Sequence, residues 1–178
     1  SLTGKVSLVS TATETVDAVI PVFPVGTHSL FGVSISNDGP YAFVTHLVGR
    51  FTLPATTLTN GWVHSNNMAI IDISAKKLLN DVELDYSTMG FSNPWGMAQT
   101  GDGKFICVLH AGSQNMTVIE YAPLIALASE GKDLSHDFAA IYSIRSNVNL
   151  PVQSPRSIAM VGNTAYIAGY FSDSLYAI

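Results

Sequence analysis

The chain has 178 residues, of which 47% are apolar and only 12% charged, and its formal net charge is −5. Eight Lys plus Arg cannot supply the dense positive charge that gripping a phosphate backbone needs, which excludes a nucleic-acid partner. No apolar run approaches the roughly 20 residues that span a bilayer, so no transmembrane helix is expected.

Taken in chain order, the first residues already carry a repeat. "VSLVSTATETVDAVIPV" from Val6 lies without a gap over "MAIIDISAKKLLNDVEL" from Met68, which predicts strands at residues 7–10 and 16–22. Next come "FGVSIS" at 31–36, the turn Asn37-Asp38-Gly39 and "YAFVTH" at 41–46. Two runs rich in β-branched and aromatic residues around a glycine turn are the signature of a hairpin. The same hairpin returns as "WGMAQT", Gly101-Asp102-Gly103 and "FICVLH", and again, one residue shorter, as "RSIAMV", Gly162-Asn163 and "TAYIAGY". A third strand follows each hairpin: "NMAIIDI" at 67–73, "NMTVIEY" at 115–121 and "SLYAI" at 174–178.

Repeats of this length with four strands each predict an all-β fold, a β-propeller of four-stranded antiparallel blades. The sequence divides into a partial blade at 1–26, blades at 27–90 and 91–153, and a second partial blade at 154–178. About three to three and a half blades do not close a ring. Either further blades belong to a longer chain, or two copies share one ring.

Two segments break the repeat. Residues 47–66, "LVGRFTLPATTLTNGWVHSN", stand where the next blade has only 111–114, and a loop of that length in a compact fold is usually functional. In the following blade, apolar spacing at Leu124, Ile125, Leu127 and Ala128 before Gly131 predicts a short helix, with the four strands of that blade running from Trp95 to about Tyr142. Cys107 sits inside an apolar strand and reads as a buried, inert thiol.

The hairpins "SNDGPYAFVTH" and "TGDGKFICVLH" resemble the YVTN-type repeats of seven-bladed propellers. The tetrad lands on residues 43–46, 107–110 and 167–170, with His46, His110 and Tyr170 in place of the usual asparagine. The insertion, together with "NPWGMAQTGDGKFICVLHAGS" and "PRSIAMVGNTAYIAGYFSDSL", is similar to the propeller region of exported proteins that also carry a cytochrome c peroxidase-like dihaem domain. That resemblance implies a periplasmic or cell-surface location and a non-catalytic binding or scaffolding role beside an electron-transfer partner. It does not give this chain a haem, because covalent attachment through C-x-x-C-H needs two cysteines and Cys107 stands alone.

In a propeller the loops joining strands two to three and four to one open on one face. His46 and His110 end strand two of successive blades, His28 maps to a four-to-one loop, and His64 maps inside the long insertion. Clustered neutral imidazoles suit copper or zinc, which makes His46, His110 and His28 candidate metal ligands. Trp62, Trp95 and Tyr170 map to the same rim as candidate contacts for a partner. Asp72 and Glu120, repeat-equivalent at the end of strand three, are read as turn acceptors. The alternatives are a lactonase-like enzymatic site on this rim and a structural surface-layer component; the P-loop, G-x-S-x-G and H-E-x-x-H signatures are absent.

Overall fold

A computed structural model describes residues 4–22, 25–51 and 63–178. The described residues form part of a β-propeller. The first sheet pairs β1 (Lys5–Ser10) with β2 (Thr15–Pro21). The second holds β3 (Thr27–Ile35), β4 (Tyr41–Gly49), β5 (His64–Asp72) and β6 (Lys77–Glu83) in sequential antiparallel order. The third holds β7 (Pro94–Gln99), β8 (Phe105–His110), β9 (Asn115–Glu120) and β10 (Arg145–Asn149) in the same order. The last has β11 (Pro155–Val161), β12 (Thr164–Gly169) and β13 (Ser174–Ala177).

The middle blades are apolar on both faces because each is sandwiched. Ala42, Val44, Ala69 and Ile71 pack with Ile20 and Val22 of the first sheet. Their neighbours along the same strands, Phe43, Met68 and Ile70, point the other way and pack with Ile106, Val108 and Ile119. Cys107, Leu109 and Met116 then meet Ala165 and Ile167. Strand alternation therefore feeds two interfaces from one strand, which is why these strands read as continuous apolar runs. The flanking sheets are covered on one face only, and Val9, Val16 and Val19 on the first and Tyr166 and Leu175 on the last are exposed.

β3, β7 and β11 are the innermost strands, and β7 packs against both of the others. Glycine sets their spacing. A Cβ on Gly32 would lie 2.4 Å from the Trp95 carbonyl oxygen, and one on the repeat-equivalent Gly96 would lie 2.5 Å from that of Arg156. β3, β7 and β11 each carry a register irregularity near their start, and in or beside it Ser29, Asn93 and Ser154 take φ values of 51°, 57° and 51°. Three equivalent residues in one unusual conformation mark a rule of the repeat rather than a local accident.

The helix predicted from residues 124–128 is present as α1 (Tyr121–Ala128). The fourth strand of its blade comes later than expected: it does not end near Tyr142 but is β10, Arg145–Asn149, after a 3-10 turn at Tyr142–Ile144. The residues between do other work. Leu124, Ala128, Leu134 and Ile141 are buried, Val82 and Leu134 form a parallel bridge, and Glu83 N donates to Leu134 O at 3.2 Å. Asn80 holds the segment on by donating from Nδ2 to the carbonyls of Ala128 and Lys132, at 3.1 and 2.8 Å. The insertion thus covers the outer edge of the preceding blade, a row of backbone groups that would otherwise invite strand pairing.

The expected 47–66 loop also shrinks. Leu47 to Gly49 extend β4 and His64 to Asn66 begin β5, pairing as far as Gly49 opposite His64. Residues 52–62, including the candidate contact Trp62, lie outside the described residues.

Candidate functional site

The rim is built from backbone. Gly49 N donates to Gly26 O, Ala111 N to Asn93 O and Tyr170 N to Ser154 O, at 3.0, 2.9 and 3.0 Å. The Ala111 and Tyr170 bonds are repeat-equivalent, the Gly49 bond lies two residues further along its own connection, and each ties a two-to-three connection to the four-to-one connection before it.

His46 and His110 turn inward. Both are fully buried. His46 Nε2 is 3.0 Å from Asp81 Oδ1 on β6, and His110 Nε2 is 2.8 Å from Thr117 Oγ1, which donates onward to Asn147 at 2.9 Å. Each histidine is thus engaged within its own blade. Burial, and then the Arg145 guanidinium, pushes His110 down to about 3, so this ring stays neutral through the physiological range.

Behind His46 lies a polar network that the motif search missed. β6 and its continuation place Asp81, Glu83 and Asp85 at every second residue, all buried. Arg50 pairs with Glu83 and stacks over Phe138 at 4.8 Å. Asp85 accepts from Asn66 N, Asn66 Nδ2 and Phe91 N, the last at 2.7 Å. Arg145 donates to the carbonyls of Leu84 and Asp85 and lies 3.6 Å over the Tyr86 ring. Burial, reinforced by Asp85, pushes Glu83 up to about 8 despite Arg50. Burial also raises Asp81 and Asp85. The sequence signal was present: acids alternating in "NDVELD" place three carboxylates on one strand face, and that face is solvated only if the strand is an edge left uncovered.

His28 is not in a loop. It lies in β3, because the strand continues past the bulge to Thr27, and its side chain is brought to His64, the first residue of β5. His28 Nε2 and His64 Nδ1 are 3.1 Å apart with rings crossing at 88°. Among the described residues no group of three His, Cys, Asp or Glu side chains converges as metal ligands do. His136, the fifth histidine, lies on the segment that covers β6, where burial lowers its pKa.

Trp95 and Tyr170 do come together on the rim, around a residue not singled out before. The Arg156 guanidinium carbon sits 4.4 Å from the Trp95 ring centroid, 4.1 Å from that of Tyr170 and 5.6 Å from that of Phe171. Trp95 stacks in turn on Phe31 at 4.6 Å. Phe31, Trp95 and Arg156 are repeat-equivalent, so they form a ladder running from blade to blade. Tyr170 and Phe171 are 60% and 67% exposed, and Phe171 lines a cleft of about 260 Å³ with Gln114, Gln153 and Arg156. Asp72 accepts from Ser74 Oγ and Ala75 N, the turn role expected for it.

No protein-family model matches the chain. Over 157 residues it is 27% identical to hydrazine synthase subunit beta of Kuenenia stuttgartiensis, covering 84% of this chain and 41% of that protein. The solved hydrazine synthase of the same organism matches with a TM-score of 0.89 and 24% identity, over all of this chain and 52% of the other. The periplasmic gluconolactonase PpgL of Pseudomonas aeruginosa matches with a TM-score of 0.56 and 15% identity, over 91% of this chain and 40% of the other. The chain therefore spans about half the length, or less, of these relatives, and the two solved structures speak for the fold alone.

No helix among the described residues is long and apolar enough to cross a membrane.

Proposed function

We propose that this chain is a non-catalytic propeller module of an exported, multi-subunit assembly, and that its rim docks an electron-transfer partner of the dihaem peroxidase-like kind. The similarity to a subunit of hydrazine synthase supports a place in a complex of that type. The exposed faces of the first and last sheets are, in this reading, where further blades complete the ring.

The observation that carries the docking role is Arg156 held between Trp95 and Tyr170 beside exposed Phe171. Arg, Trp and Tyr dominate the few residues that supply most interface energy, and here their rotamers are already restrained by mutual stacking. A lactonase-like alternative needs accessible acid and base groups, whereas His46 and His110 are buried and bonded.

The test is the affinity of the full-length protein for its haem-bearing partner, with Arg156→Ala and Tyr170→Ala as variants. Each is expected to weaken binding by about 2 kcal/mol, roughly 30-fold, as a central hot spot does. Undiminished affinity in the double variant would remove the docking role from this cluster.

A further inference from the structure

The His28 and His64 pair does not follow from the repeat. The irregularity next to His28 in β3 recurs at the starts of β7 and β11, but the residues equivalent to His28 there are Ser92 and Gln153. The fold supplies the bend; among the three described inner strands, β3 alone adds an imidazole there. The second imidazole arrives from β5, with β4 between: His28 lies opposite Leu47 and His64 opposite Gly49.

The nitrogens face each other at 3.1 Å. An ion with metal–nitrogen bonds of about 2.05 Å spans two ligand nitrogens 3.1 Å apart at an angle of about 98°, between the square and tetrahedral values. The far side of His28 is prepared as metal-binding histidines usually are. Its Nδ1 is 2.8 Å from Ser29 Oγ, and a hydroxyl accepting Nδ1–H leaves Nε2 with a free lone pair. His64 lines a cleft of about 310 Å³ with Leu47, Val63, Asn66, Phe91 and Asn93. That cleft leaves room for water or a small ligand on the ion.

We infer that His28 and His64 together bind one borderline divalent ion, Cu(II) or Zn(II), through Nε2 and Nδ1, with its remaining positions open to the cleft. Two protein ligands make it an exchangeable site rather than a structural one.

The test uses chelator-stripped full-length protein titrated with Cu(II) alone, followed by calorimetry and by electron paramagnetic resonance. The wild type is expected to take up one equivalent that shows hyperfine splitting from two nitrogens and is lost in His64→Gln. His64 is exposed at the start of β5, so this variant keeps the fold. Ser29→Gly keeps the positive φ while removing the hydroxyl, and is expected to weaken binding about 10-fold. His136→Ala is expected to leave the signal unchanged. Equal copper uptake and an equal spectrum in wild type and His64→Gln would overturn the site, and the two rings would then be an N–H···N hydrogen-bonded pair.

Discussion

Replacing Gly96 by alanine tests whether inner-strand spacing is set by the missing side chain. The new Cβ would stand 2.5 Å from the Arg156 carbonyl oxygen, 3.2 Å from its carbon and 3.3 Å from the Ser157 Cα. All three are backbone atoms, so no side-chain rotation relieves the clash, and β7 must move from β11. Overpacking of this kind costs about 1–3 kcal/mol. Loss of glycine freedom in the unfolded chain returns about 0.4–1 kcal/mol, which leaves a net loss between about 0 and 2.6 kcal/mol, centred on roughly 1.3 kcal/mol. Gly90 is the control, because a Cβ there meets nothing within 4 Å and its φ is not positive. Gly90→Ala is expected to be neutral or stabilising by about 0.4–1 kcal/mol. Matched urea and thermal unfolding of the two variants measures the contrast, and about 1 kcal/mol corresponds to roughly 2–4 °C in Tm for a domain of this size. Equal shifts in the two variants would refute the steric account.

Two further outcomes follow from the buried network. Glu83 keeps its proton to about 8 in the folded protein against an ordinary 4.5, so its contribution is full below 4.5 and is lost as pH rises through 8. At 1.36 kcal/mol for each tenfold change, the ceiling on that loss is about 5 kcal/mol. Urea midpoints at pH 5 and pH 8 should fall more in the wild type than in Glu83→Gln, and parallel falls would show that Glu83 is not the group responsible. His110, held down to about 3, should give ring nitrogen shifts that do not move between pH 5 and 8; a midpoint in that interval would contradict its burial beside Arg145.

Blade architecture was legible because a hairpin is local. The strands, the glycine turns and the apolar runs around Val44 and Val108 all declare themselves within a dozen residues, and repetition then fixes their register. The helix at Tyr121–Ala128 was legible for the same reason. The ends of β3 and β4 were not, since what extends them past His28 and His46 is a pairing between distant segments rather than a propensity. The rim suffered most. His46 and His110 were placed correctly on strand two, but whether such a ring faces out or in depends on Asp81 and Thr117, which a repeat alignment does not bring into view. Arg145 and Asp85 are 60 residues apart in the chain, and only folding makes them neighbours.

The backbone bonds that close the rim have a consequence for how loops change over time. Gly49 N to Gly26 O and Arg50 N to Val63 O, at 3.0 and 2.9 Å, use no side chain at all. Neither bond therefore depends on the side chains carried at residues 50 and 63. Such a socket lets insertions be exchanged, lengthened or grafted while the blade beneath keeps its register, so the surface can acquire a new specificity in one step without renegotiating the core.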